Sequence, residues 1–413
     1  MTEGLADTSN NATGRHVTLY RRWSEGGAGL LLTGNVQIDR RHIERPGNVV
    51  IEGPPSSDAM ARLKSWAEVA TCAGNQCWMQ ISHAGRQIDR ALNPNPLSAS
   101  DTQVVTPGMK FGKARAMTED DIATAIERFG IAAKAAREAG FNGVELHGAH
   151  GYLVAQFLSP LTNHRTDQWG GRLENRARFL LEVVRSMRAQ VGSDFPIGVK
   201  LNSSDFQKGG FTFEDCRQVV AWLGDEKIDL LEISGGNHEH LRYFDADGLT
   251  ANDAEEEVRE STRTRESYFV DYAAAIAPFA KMPLMVTGGF RSRVAMDEAL
   301  SSGAADVIGL GRPMCAEPGT PGELLSGQKS SFTRWEDKLR LGKGWLGPAS
   351  RFPFVRAVNA WGAASWFLIQ IQRIADGGDP TGETKVLGSF FELSRIEKES
   401  LKKYRAANPL ETE

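Results

Sequence analysis

The sequence predicts an α/β chain of the (β/α)8 TIM-barrel type, on three observations. Short apolar runs alternate with longer amphipathic segments as far as about residue 325, where the alternation stops. The runs are apolar at successive positions, as strands buried on both faces of a parallel sheet are. Their C-terminal ends are polar or glycine-rich in almost every case, at 80–83, 147–152, 200–205, 235–240, 288–291 and 311–312. A doubly wound sheet would concentrate such residues at one switch point, whereas a barrel collects them from many strands around one mouth.

Taken in order, the runs are 29–33, 77–82, 143–147, 196–202, 229–234, 283–288 and 305–311. That is seven where a closed barrel has eight. The missing strand is expected ahead of Gly29, yet residues 1–28 hold no apolar run that suits it. Between the runs, Ile122, Ile126, Phe129, Ala133 and Ala136 share one face of a 3.6-residue helix. Thr118 with Asp121 is a variant capping box at its start, and Gly140 a stop signal at its end. Leu180, Val184, Met187 and Val191 form a second stripe closed by Gly192; Thr212 and Asp215 open a third helix before Val219, Val220 and Leu223. Residues 326–353 read as an irregular charged connection, 354–376 as an aromatic-rich helix and 389–406 as a charged helix. The acidic patch 253–257 reads as a solvated loop. The expected organisation is a barrel over residues 1–325 with a helical extension, 326–413, packed on it. The helix near Trp361 and Phe367 is expected to cover the barrel or to meet a second copy of the chain.

Composition narrows the class. Of 413 residues, 41% are hydrophobic and 24% charged, as in folded globular proteins. A net charge of −4 argues against nucleic acid or an anionic membrane as the main partner. Four cysteines (Cys72, Cys77, Cys216, Cys315) form no CxxC pair. They speak against a disulfide framework or a cysteine-ligated cluster, and for a cytoplasmic setting. The start, Met1-Thr2-Glu3-Gly4, lacks a signal peptide's apolar core. No run approaches the roughly 18–20 apolar residues of a membrane span.

The densest chemical cluster is His147-Gly148-Ala149-His150-Gly151-Tyr152, at the end of a strand. Glu145 shares a strand face with His147. The residues alone allow three readings. Glu145, His147 and His150 could be metal ligands; the histidines could be structural; or the two histidines and Tyr152 could donate hydrogen bonds and protons.

The stretch HGAHGYLVAQFLSPLTNHRTDQWGGRLENRARF, residues 147–179, closely resembles the signature of the old yellow enzyme family of FMN-dependent ene-reductases. Trp78-Met79-Gln80-Ile81-Ser82-His83-Ala84-Gly85-Arg86, Thr287-Gly288-Gly289-Phe290 and Gly309-Leu310-Gly311-Arg312-Pro313 are similar, in order, to that family's third, seventh and eighth strand endings. The resemblance covers roughly residues 1–325. It implies FMN across the barrel mouth, with its phosphate on the N–H groups of Gly288, Gly289 and Gly311 and Arg312 as counter-charge. It places Gln80 on the flavin's pyrimidine edge, Gly34 beside the ring and Thr2 near C4 and O4. Lys200 stands where the family usually has arginine, beside N1 and O2; lysine keeps the charge but loses the planar fork. His147 and His150 match donors to a substrate carbonyl oxygen, and Tyr152 a proton donor. Asn163, Arg165, Asp167 and Arg172 read as loop-fixing residues.

The resemblance also implies a hairpin and first strand ahead of Met1-Thr2. Without the cysteines of an iron–sulfur cluster, NADH or NADPH would reduce FMN directly. The expected function is FMN-dependent reduction of the C=C bond of α,β-unsaturated carbonyl compounds. A truncated or catalytically impaired paralogue that binds flavin weakly or not at all, and a metal-dependent barrel enzyme using Glu145, His147 and His150, are the alternatives.

Overall fold

The computed structural model describes residues 2–105, 110–235, 269–383 and 385–409; the acidic patch at 253–257 lies outside them. Seven parallel strands form one continuous path: β1 (Leu30–Leu32), β3 (Gln76–Ser82), β6 (Gly143–Gly148), β7 (Ile197–Asn202), β8 (Leu230–Ser234), β9 (Leu284–Thr287) and β10 (Val307–Gly309). A two-residue strand, β2 (Val36–Gln37), also pairs with β3, and β4 (Leu97–Ser98) pairs with β5 (Arg115–Ala116) apart from this sheet. All seven expected runs are strands. Among the described residues no strand joins β1 to β10, so the path is a curled half-barrel rather than a closed ring.

Helices cover the sheet where the periodicity places them. The first stripe becomes α3 (Glu119–Ala139), with a reciprocal Thr118–Asp121 capping box and a left-handed Gly140 at its end. It packs on α5 (Leu173–Val191), where Phe129 meets Phe179 edge-on with ring centres 6.5 Å apart. Thr212 and Asp215 cap α6 (Phe213–Asp225) in the same way. Among the helices not foreseen are the two that precede β3, α1 (Gly14–Ser24), capped by Thr13, and α2 (Ser57–Ala70), capped by Ser56. In α1 apolar positions are sparse, and buried His16 and Tyr20 fill part of its inner face, whereas α2 buries a regular stripe of Leu63, Trp66, Ala67 and Ala70.

The two ends of the strand path come together through their flanking segments. Helices α7 (Val270–Ile276) and α8 (Arg293–Ser301) flank β9, and after β10 lie α9 (Arg312–Ala316) and α10 (Thr320–Leu325). Trp23 Nε1 in α1 donates to the Met314 carbonyl in α9 at 2.9 Å, and Gly322 N donates to Gly26 O at 2.9 Å. Only glycine fits there. A Cβ on Gly26 would lie 1.9 Å from the Pro318 carbonyl oxygen, and Gly27 combines φ +87° with a Cβ position 2.7 Å from Gly322.

Beyond these helices, the extension contains α11 (Pro353–Ala375) and α12 (Val386–Ala407), as the sequence leads one to expect. Helix α11 packs on both α1 and α9, with Trp366 and Phe367 buried inside the chain. Arg15 in α1 pairs with Asp376 at 2.7 Å, and Gln372 Nε2 donates to Glu3 O at 2.8 Å. Helix α12 reaches the loops at the C-terminal ends of the strands. There Tyr404 joins Ile43, Ala84, Ile88, Leu92 and Tyr152 in one buried cluster, and Arg45 pairs with Glu397 at 3.3 Å. No described helix is long and apolar enough to cross a membrane.

Phe129 is fully buried between α3 and α5. Truncation to alanine is expected to cost about 3–5 kcal/mol through lost burial and a cavity, read as a lower denaturation midpoint at unchanged slope in urea.

Candidate active site

Strand register sets the innermost layer of the site. Gln80 stands opposite Glu145, His147 opposite Lys200, and Lys200 opposite Glu232, on four neighbouring strands. All five side chains are buried, Glu145 completely. Gln80 Nε2 donates to Glu145 Oε1 at 2.6 Å, and Lys200 Nζ donates to Glu232 Oε1 at 2.5 Å. Glu145 and Glu232 also face each other, and two buried carboxylates in contact cannot both stay ionised. Burial first, then the charge of Glu232, holds the Glu145 carboxyl well above its ordinary range. Burial pushes Glu232 the same way, but Lys200 and the hydrogen bond from Glu145 outweigh it and keep this carboxyl low. Lys200 is likewise held raised by Glu232 and Glu145 against the opposing effect of burial. The layer therefore carries one ammonium, one carboxylate and one shared proton.

His147 lies at the mouth side of this layer. Burial, then His150 and Lys200, hold its ring well below the ordinary value, so it is neutral. Ala149 N–H donates to its Nδ1 at 3.3 Å, which assigns the ring proton to Nε2. That Nε2 is buried and has no partner. The His147 ring stands 5.1 Å from that of His150 and 4.8 Å from that of Tyr152, both nearly edge-on. His150 sits in the left-handed region at φ +59°, rare for histidine and typical of sites where surrounding contacts impose it. Asn202 Oδ1 accepts from its N–H at 3.1 Å, Gln87 donates to its carbonyl at 2.9 Å, and Ser234 Oγ lies 2.7 Å from its Nε2. Tyr152 caps the short helix α4 (Leu153–Leu158) and is buried.

The remaining expected site residues fall at the two ends of the strand path. Near β1, Gly34 N–H donates to Glu3 Oε1 at 2.8 Å and to the Tyr20 hydroxyl at 3.0 Å, while Tyr20 itself donates to Glu3. Thr2 Oγ1 accepts from Asn48 Nδ2 at 3.2 Å. At the other end, Gly288 (φ +130°) and Gly289 (φ +83°) follow β9 in backbone conformations that favour glycine, and Gly311 and Arg312 follow β10. Arg312 lies 3.3 Å from Glu336, which also accepts from the buried Arg291. In the signature loop, Asn163 donates to the carbonyls of Phe157 and Trp169, both at 2.7 Å, and Arg165 pairs with Asp167. Arg172 pairs with Glu174 at 3.5 Å.

The metal alternative is corrected here. Glu145 is engaged by Gln80 and Glu232, and His150 is turned to Ser234, so Glu145, His147 and His150 do not converge as ligands. Among the described residues the group with ligand-like spacing is Asp39, His42 and His83. Its carboxylate is taken by Arg128 at 2.7 Å and Arg41 at 2.8 Å, and His42 Nε2 accepts the Leu97 N–H at 2.9 Å, an arrangement that suits a structural ion cluster.

Sequence reasoning missed Glu3, Glu232, Arg291 and Glu336. Glu232 had a signal: a lone carboxylate inside the apolar strand Leu230–Ser234 must find a buried cation. The other three lie in irregular segments without periodicity.

Parallel strands carrying polar groups on their C-terminal ends, an inward cation and glycine turns after the last two strands suit a barrel enzyme with an anionic ligand at its mouth. Residues 1–330 match the NADH:flavin oxidoreductase / NADH oxidase family, and the chain belongs to that family. It is 38% identical over 319 residues to the NADH-dependent flavin oxidoreductase nadA of Aspergillus parasiticus, covering 76% of this chain and 69% of the relative. It is 30% identical over 337 residues to the NADH oxidase of Thermoanaerobacter brockii, covering 81% and 49%. The fold is similar to the old yellow enzyme homologue from Zymomonas mobilis, with a TM-score of 0.65 at 24% identity over 80% of this chain and 88% of that one. The family and its relatives make the chain an FMN-dependent oxidoreductase using a nicotinamide reductant. The residues present fit the cofactor. Positive-φ glycines allow close backbone approach after β9, and a cation and an amide share the inner layer.

The shared proton has a testable pH signature. The folded chain keeps on Glu145 a proton that the unfolded chain releases near the ordinary value of 4.5. The stabilisation is therefore full below that pH and is lost as pH rises toward the raised folded value. Glu145→Gln keeps a donor to Glu232 but does not titrate. The stability difference, wild type minus variant, is expected to shrink as pH rises from about 4 to 8 in denaturant titrations. Glu232→Gln removes the carboxylate that Lys200 donates to, but also the charge that helps keep Glu145 protonated, so Glu145 can ionise in its place. The cost is expected to fall below the about 3–5 kcal/mol of a buried charge left unpaired, and the raised Glu145 value to drop, both read in the same titrations.

Proposed function

We propose that this oxidoreductase reduces the C=C bond of α,β-unsaturated carbonyl compounds. The observation that carries this reading is the neutral, buried His147 with an unpartnered Nε2–H, its ring about 5 Å from those of both His150 and Tyr152. FMN, when bound, supplies the hydride chemistry. Gln80 and Lys200 would hold its ring system together with Thr2 and Gly34; Gly288, Gly289, Gly311 and Arg312 would hold its phosphate.

The chain's own residues account for the remaining tasks. As the substrate's β-carbon gains a hydride, negative charge develops on the carbonyl oxygen, and preorganised donors are worth most in a buried site. His147 is already neutral and so donates without a change of charge. His150 is fixed by Asn202, Gln87 and Ser234, which hold it in its left-handed conformation beside His147. Tyr152 delivers the proton to the α-carbon, a step in which a positioned acid contributes typically 10²–10⁴-fold. The cluster linking Tyr152 to Tyr404 keeps water from that hydroxyl's surroundings.

The test is stopped-flow spectroscopy on the FMN-loaded chain. Anaerobic NADH or NADPH should bleach the flavin spectrum, and 2-cyclohexenone should restore it with formation of cyclohexanone. Tyr152→Phe is expected to slow the enone step by about 10²-fold or more while leaving the nicotinamide step within a factor of a few. Flavin reoxidised by dioxygen but not by any enone would sink the reading, as would equal slowing of both half-reactions in the variant.

A further inference from the structure

We propose that Glu336, in the extension beyond the part matched by the family, sets the affinity of the flavin site for the phosphate group. This rests on the assignment of Arg312 to that phosphate. Glu336 accepts a hydrogen bond from Arg291 and lies 3.3 Å from an Arg312 guanidinium nitrogen. Arg291 is buried, and its other terminal nitrogen donates to the Phe290 carbonyl at 2.6 Å. Two cations from the loops after β9 and β10 thus converge on one carboxylate. The arginines hold that carboxyl below its ordinary range against the opposing effect of burial, so it is charged at neutral pH.

The carboxylate is held in place by its own backbone. Phe332 N donates to Arg291 O at 2.7 Å, Arg293 N donates to Ser330 O at 2.8 Å, and Ser292 bridges to Ser331. The segment 330–337 is thereby laid along the loop that follows β9. Trp335, beside Glu336, donates from Nε1 to Glu317 at 2.8 Å and stacks obliquely on Trp366 of α11, ring centres 5.0 Å apart. Glu336 is therefore a placed group rather than a swinging surface side chain.

The electrostatics follow from that placement. Arg291 and Arg312 both face Glu336, whose negative charge offsets part of theirs. A dianionic phosphate approaching Arg312 meets a site of reduced charge and a fixed like charge beside it, and in a partly buried site such a charge acts with little screening. Glu336 also keeps the buried Arg291 paired. It favours the folded loop and, for the same reason, holds back phosphate.

Flavin binding to the flavin-stripped chain distinguishes the possibilities, followed by fluorescence quenching of FMN and of riboflavin, which has the same ring and no phosphate. Glu336→Gln is expected to bind FMN about tenfold more tightly and riboflavin with unchanged affinity; Glu336→Asp should behave like wild type. Without ligand, the Gln variant should melt lower than wild type, and FMN should raise its melting temperature by more. Unchanged or weaker FMN binding in the Gln variant overturns the proposal, and so does an equal gain for riboflavin. If wild type and variant alike bind no FMN, the flavin-site assignment itself fails.

Discussion

The interior ion chain that runs from Gln80 through Glu145 and Glu232 to Lys200 is the constraint on which the site depends. Four neighbouring parallel strands each place one polar group in the same layer, and none of these groups reaches water. A buried ammonium needs a carboxylate, and a second carboxylate in contact with the first must hold a proton. The layer is therefore satisfied only when β3, β6, β7 and β8 are in their native register. A one-residue slip would turn every member toward the helical shell. Register in turn fixes where β6 ends, and with it the position of His147, His150 and Tyr152. Chemistry at the mouth is aligned by charge balance one layer below.

Outside the sheet, the extension does for the shell what this layer does for the core. The strand path ends at β1 and β10, and edges of that kind need cover. Helix α1 and the turn after it meet α9 and α10 through Trp23, Gly26 and Gly27, and α11 packs on α1 and α9 together. Helix α12 continues to the mouth, where Tyr404 donates toward the Arg40 carbonyl and Asn10. One continuous segment beyond the barrel helices thus touches the seam, the loop after β9 and the apolar side of the mouth.

Legibility followed periodicity. All seven strands, the caps at Thr118 and Thr212 and both helices of the extension could be read because regular spacing repeats over many residues. Helix α1 is harder to read, since it buries His16 and Tyr20 in place of an aliphatic stripe, whereas α2 carries a readable stripe of Leu63, Trp66, Ala67 and Ala70 that a strand-by-strand reading passes over. Of the site, the residues in strands and glycine turns were legible from strand ends and from the signature stretch. Their partners were not. Whether Lys200 is clamped depends on the register between β7 and β8, and whether Arg312 is paired depends on a segment that begins some twenty residues later without any repeat. The reading of Glu145 as a metal ligand erred for the same reason: same-face spacing shows that Glu145 and His147 share a side, but not that Gln80 and Glu232 already occupy the carboxyl.

The acidic partners share a physical logic. Lys200, Arg291 and Arg312 are cations in positions suited to an anionic cofactor, and cations gathered in a partly dry site repel one another and resist burial. Glu232 answers the first, Glu336 the other two. At the far end Glu3 plays a related part for neutral donors, accepting from both the Gly34 N–H and the Tyr20 hydroxyl. With these groups in place the cations of the lining are paired by the chain itself, while His147 Nε2 is left for a ligand. The consequence is competition: whatever binds must match or displace carboxylates already well placed. Affinity in such a site is set by the difference between two good sets of hydrogen bonds rather than by the strength of either, so a single acidic residue far outside the strands can govern it.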